Sequence, residues 1–319
     1  MNKATIAAAR RTDRATRVWM GVALLAHTGW GAYPVLARYL QTVSALPSMA
    51  LLSLGNLIAL LAYAPFALRQ VDRRALRSRV IWAFALVVVL RAITNLLAAR
   101  FTLAIYVQLI TLMTPLLVAL LSAGLFREAL PPFTWPAIGF SLAGSLLMMS
   151  GDLGGDGPLL RLSTGDLAGL ALAFASALCL ALYMLLVPRT VKQAVSGEAV
   201  LLVQLIALTL TTGAISALLG EDPGRFAAAS PGDWAVFGAF VGFVLLGANV
   251  GQIAALRHLG APRVSSTMAW RLIATLALAA LLLGERLTSL WQVLGAGIVL
   301  LTITVYLSRQ RQGAAAHEP

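Results

Sequence analysis

PLLVALLSAGLFREAL, residues 115–130, and LIATLALAALLLGERL, residues 272–287, coincide without a gap when the chain is shifted by 157 positions, which sets Glu128 on Glu285. The same shift sets Asn95 on Gln252 and Arg100 on Arg257, and beyond the glutamates a shift of 156 sets Trp135 on Trp291 and Gly139 on Gly295. Apolar stretches that end in matched acids, at matched distances from matched carboxamides, mark a duplicated unit. Between the copies lies a Gly- and Asp-rich segment, residues 151–165, too polar for a membrane interior and read as an external linker.

The units on either side are apolar throughout. Hydrophobic residues make up 60% of the 319 and charged residues only 11%, which does not fit a water-soluble surface. Ten runs are near the roughly 20 residues that a bilayer crossing needs. They fall at 18–37, 47–68, 80–99, 103–125, 133–150, 166–187, 199–219, 234–256, 264–283 and 289–308. The sequence therefore predicts an all-α integral membrane protein with ten transmembrane helices. Five spans per copy is an odd number, so the second copy enters the membrane from the opposite side. The result is two inverted five-helix repeats, over 18–150 and 166–308, an arrangement common among secondary transporters.

Net charge +12 and a basic pI raise the question of a nucleic-acid partner, and the distribution of the charge argues against one. With the N terminus inside, 17 of the 24 Lys and Arg residues fall on cytoplasmic segments, including the tails 1–17 and 309–319, against five on outside loops. That bias is the positive-inside rule for a multi-pass protein of the plasma (inner) membrane with both termini cytoplasmic. The two left over, Arg91 and Arg271, lie within spans.

Trp30 and Gly31 in the first span, the Pro115 to Glu128 spacing of the fourth, the LGER ending of the ninth and the glycine-bearing spans that follow resemble the EamA-type branch of the drug/metabolite transporter superfamily, over residues 18–308. The resemblance implies two five-helix repeats around a central cavity, alternating access and, often, export of amino acids or other small metabolites. The sequence departs from the family pattern at two places: Leu272 stands where the repeat partner of Pro115 would be, and span 2 offers Asn56 where the family often has an arginine.

Polar side chains in lipid are costly and should face the bundle interior. Thr267, Arg271 and Thr275 recur at i, i+4 and i+8 and form one stripe of span 9. Span 4 offers Gln108, Thr111 and Pro115; span 7, Gln204, Thr211 and Thr212; span 2, Ser53, Asn56 and Tyr63; span 6, Ser176, Cys179 and Tyr183. Arg91 lies eleven residues into its span, about 16 Å deep at the helical rise and near mid-membrane. Arg271 is shallower, at about 10 Å, within snorkelling reach of the cytoplasm.

All twelve Asp and Glu residues fall in loops, tails or span ends, so neither arginine has a carboxylate partner within the spans. Unpaired guanidinium groups invite a carboxylate or phosphate on a substrate. The substrate site expected from sequence is Arg91 and Arg271, with Asn95, Gln252, Trp30, Tyr33, Asn56, Gln108, Thr111, Tyr183, Thr267 and Thr275 around them. Pro34 and Pro115 are the expected hinges. Glu128 and Glu285 are expected as structural helix ends, each clipped to its neighbouring arginine or to the start of the next helix.

Cys179 is the chain's one cysteine, and the three histidines have no ligand-like spacing, so neither a metal site nor a cofactor is expected. No catalytic triad, phosphate-cradling glycine loop or carboxylate pair is visible. His27 is the one titratable group of the usual proton-coupling kind within a span, which favours a facilitator or exchanger. The sequence thus points to a carrier, not an enzyme, for a small anionic or zwitterionic metabolite such as an amino acid, exported across a lipid bilayer. Its alternatives are a membrane enzyme acting on a lipid-linked group and a non-transporting regulatory subunit. Oligomeric state is open.

Overall fold

The computed structural model describes residues 3–69, 79–127, 130–131, 133–150, 163–192, 196–259, 264 and 267–315. Glu128 and most of the linker lie outside them. The helices are α1 (Lys3–Thr42), α2 (Ser48–Ala67), α3 (Arg79–Phe101), α4 (Ala104–Leu112), α5 (Thr114–Phe126), α6 (Thr134–Met149), α7 (Thr164–Lys192), α8 (Gly197–Leu218), α9 (Pro231–Ala239), α10 (Asn249–Leu259), α11 (Trp270–Leu282) and α12 (Leu290–Ala315). A π-helical segment, Phe240–Ala248, joins α9 to α10.

Local chemistry sets several of the starts. The Ser196 hydroxyl accepts from the Ala199 amide to open α8. Ser230 and Asp233 cap each other's backbone at the head of α9, with Pro231 at a position where the missing N–H costs nothing.

Among the described residues, six helices are long and apolar enough to cross a bilayer, and α4 and α5, bent by 40° at Met113, reach that length only when taken together. The sequence predicts ten. The difference has three physical sources. Helices α6 and α11 are apolar but have only 16 and 13 residues, short of the roughly 20 that span the hydrocarbon. The predicted first span is part of the 40-residue α1, where His27, Thr28, Trp30, Tyr33 and Pro34 dilute the apolar run. The predicted fourth span is broken because Pro115 cannot donate back along the helix.

The helices pair across the two halves. Helix α2 packs on α8, α6 on α12, α3 on α7, and α1 on the π segment, α10 and α11, while α4 and α5 pack on α7. If each predicted span is exchanged for its counterpart in the other repeat, this set of contacts maps onto itself, as a two-fold relation between halves requires. Close approach depends on glycine: a Cβ on Gly295 of α12 would lie 2.5 Å from the Gly144 carbonyl of α6. Phe84, Phe240, Leu40, Leu51 and Leu52 are fully buried in the larger core, whereas Leu61, Phe66, Trp82, Leu281 and Leu301 are exposed. An apolar rim of this kind faces acyl chains in a membrane protein.

Candidate functional site

A narrow cavity lies between α1, α2, α3, α8 and the junction of the π segment with α10, lined by Trp30, Tyr33, Leu52, Asn56, Val88, Arg91, Ala92, Asn95, Gln204, Leu208, Leu245 and Asn249. Five of the residues expected from sequence therefore meet here: Trp30, Tyr33, Asn56, Arg91 and Asn95. Three of them bring buried polar atoms without a hydrogen-bond partner among the described residues, namely the Trp30 indole nitrogen, the Tyr33 hydroxyl and the Asn95 side-chain oxygen. Buried polar groups are nearly always paired, so three orphans around one cavity mark a place where a ligand or water completes the bonding.

Arg91 supplies the charge. Its guanidinium carbon lies 5.0 Å from the Trp30 ring centre and 5.9 Å from that of Tyr183. The Ser176 hydroxyl donates to the Arg91 carbonyl at 3.1 Å, which ties α7 to α3 at this turn. Among the described residues no carboxylate pairs with Arg91, and its neighbours offer π faces.

Arg271 belongs to an adjoining network instead of the cavity wall. It is 3% exposed, donates from Nε to His27 Nδ1 at 2.9 Å and from a terminal nitrogen to Gln252 Oε1 at 3.3 Å, and lies 5.8 Å from the Trp30 ring centre. His27 in turn donates from Nε2 to the Val264 carbonyl, which also accepts from the Thr267 hydroxyl. Thr275 donates to the Gly31 carbonyl at 2.7 Å and to the Arg271 carbonyl. Two members of the predicted stripe, Arg271 and Thr275, face α1, where Thr275 fastens the two helices and Arg271 lies by the indole, whereas Thr267 precedes α11 and bonds back to Val264.

The remaining predicted residues lie elsewhere. Gln108 is buried with an unpartnered amide nitrogen, but does not line the cavity, and the Thr111 hydroxyl bonds back to the Val107 carbonyl of its own helix. Pro34 sits within the continuous α1, and Pro115 at the head of α5. Glu285 is a structural end, but not the one predicted: its partners are Arg38, at 2.9 Å, and the amides of Ala104 and Ile105, and not Arg286 or the next helix. Burial pushes its carboxyl above the ordinary value, and Arg38 and the two amides oppose that.

Sequence reasoning passed over Asn249 altogether and noted Gln204 without selecting it. Both stand on the part of the cavity wall contributed by the second repeat, and Asn249 closes an i−4 bond to Leu245 at the end of the π segment. A period-3.6 stripe search fails there because a π turn shifts the register.

The model of the EamA-like transporter family matches residues 17–150 and 167–308. A solved protein crystal structure is similar over 92% of this chain and 98% of its own, with a TM-score of 0.58 at 19% identity, a likeness of fold alone. No curated protein matches.

Proposed function

The chain belongs to the EamA-like transporter family of the drug/metabolite transporter superfamily, and from that premise we propose that it is an alternating-access carrier for a small anionic or zwitterionic metabolite, with export as its direction. The membrane topology we infer is ten crossings in two inverted repeats, residues 18–150 and 166–308, with both termini on the cytoplasmic side of the inner membrane. Its support is the Lys and Arg distribution and the two-fold pattern of helix pairing.

One observation carries the choice of an anionic group: Arg91 stands beside the unpartnered Trp30 N–H and Tyr33 O–H in a cavity whose lining holds no carboxylate. A carboxylate bound there would take a charge-assisted bond from the guanidinium and neutral bonds from the indole and phenol. Asn95 and Gln204 can hold the remainder of the molecule. Desolvation costs favour a bound anion here, because leaving Arg91 alone in a low-dielectric bundle is expensive.

The test is binding and counterflow with purified protein in liposomes, using a panel of labelled amino acids and organic acids. Arg91→Ala should abolish binding of every acidic member, and Arg91→Lys should restore part of it. Unchanged binding in Arg91→Ala removes the site assignment.

A further inference from the structure

Trp30 is flanked by two cations. The guanidinium carbons of Arg91 and Arg271 lie 5.0 Å and 5.8 Å from its ring centre. The partners of Arg271 are neutral: His27 accepts at Nδ1 and donates at Nε2, which is the bonding of an uncharged imidazole with its proton on Nε2, and Gln252 offers an amide oxygen. They hold the guanidinium in place without cancelling its charge. Tyr183 faces Arg91 as a further neutral aromatic group. Among the described residues no carboxylate lines the cavity or bonds to either arginine. Asp166, Glu221, Asp222, Asp233 and Glu285 make their bonds at helix ends and loops.

A cargo with one carboxylate on Arg91 would leave the charge of Arg271 uncompensated. A zwitterion does worse, because its ammonium brings a third cation to a cavity whose aromatic ring already faces two. An anion with two acidic groups neutralises both, and in a bundle of low effective dielectric the second cation is felt without direct contact.

We propose that Arg271 is a specificity-determining residue that selects compact organic anions carrying two negative charges over monocarboxylates and zwitterions. This rests on the assignment of Arg91 to the cargo's first acidic group. Arg271 acts by its field and by its place over the Trp30 ring, and so it sets the preference among acids more than the ability to bind one.

The experiment compares four probes on the full-length protein in nanodiscs. Succinate, butyrate and 4-aminobutyrate share a four-carbon chain and differ in charge, and glycerol 3-phosphate separates a phosphate dianion from a dicarboxylate. Wild type should bind succinate or glycerol 3-phosphate at least about tenfold more tightly than butyrate or 4-aminobutyrate. Arg271→Gln, which keeps hydrogen-bonding capacity toward His27, should bring that ratio to within about threefold, while Arg271→Lys should retain it. Thermal unfolding of each variant shows whether it is folded, and if the glutamine variant is not, the wild-type ratio and the lysine variant decide. Equal affinity of wild type for the monoanion and the dianions, or tighter binding of the zwitterion, overturns the proposal and leaves the anion site standing. Failure of every acidic probe to bind overturns the anion site as well.

Discussion

Glu285 accepts from Arg38 Nε at 2.9 Å while the same carboxylate faces the amides of Ala104 and Ile105 at 3.3 Å and 3.4 Å. Glu285 follows the last turn of α11, where its own helix dipole would repel it, and finds the positive end of α4 instead. Arg38 of α1 also donates to the carbonyls of Ala99, Arg100 and Thr102 at the end of α3. One ion pair therefore ties three helix ends of the first half to the second. Glu221 repeats the device by accepting from the amides of Met49 and Ala50 at the head of α2.

Removing the Glu285 carboxylate should destabilise the protein. Glu285→Ala leaves Arg38 without its counter-ion and two amides without an acceptor, which should cost about 2–4 kcal/mol in thermal or denaturant unfolding. Glu285→Gln keeps a neutral acceptor and should cost less. Because burial raises the folded-state pKa of Glu285 above its unfolded value, its titration favours the folded state at low pH. That contribution is lost as pH rises through the folded pKa, and the glutamine variant should lack this slope.

Gly31 should tolerate no side chain. A Cβ there would lie 2.5 Å from the Arg271 carbonyl and 2.9 Å from the Ala274 Cβ, so α11 must move away from α1. Gly31→Ala should lower stability by about 1–3 kcal/mol and weaken the Thr275 bond to the Gly31 carbonyl. Gly21 of the same helix, where an added Cβ would meet nothing within 4 Å, is the control. Gly21→Ala should leave stability unchanged or raise it by up to about 1 kcal/mol.

The indole of Trp30 offers a ring to two guanidinium groups and an unpartnered N–H to the cavity, and substitution separates these roles. Trp30→Phe keeps a ring but deletes the donor, so the affinity for an acidic solute should fall by about three- to tenfold. Trp30→Ala removes both and should lower affinity by more than about tenfold while lowering the melting temperature. Equal loss in the two variants would mean that the N–H is the whole of the contribution.

What the sequence made legible follows from where its chemistry is unusual. A charged residue at membrane depth is costly enough that Arg91 and Arg271 stood out, and polar residues on Leu- and Ala-rich helices marked Trp30, Tyr33, Asn56 and Asn95 as interior. Which polar residues meet was not legible, because it depends on helix rotation: Arg91 lines the cavity, and Arg271 is held outside its lining by His27 and Gln252, over the Trp30 ring. Arg38 was counted as one more outside-loop charge, yet it is the partner of Glu285, and the sequence separation between them hides that. The break within the predicted span 103–125 was hidden by the same limit, because length and apolarity describe a straight helix while α4 and α5 meet at a 40° bend.

That bend should matter to turnover. Pro115 has no amide hydrogen to return to the Thr111 carbonyl, and the Thr114 hydroxyl donates to that oxygen in its place. A side-chain bond that substitutes for a backbone one lets the helix pivot at Met113 without stranding a carbonyl in the membrane. Pro115→Ala restores the amide and should reduce the 40° bend between α4 and α5. Neither residue lines the cavity. Affinity measured at equilibrium should therefore stay within about twofold of wild type, while the maximal rate of counterflow falls by about tenfold. A variant that loses affinity and rate together would assign the bend to building the site and not to moving around it.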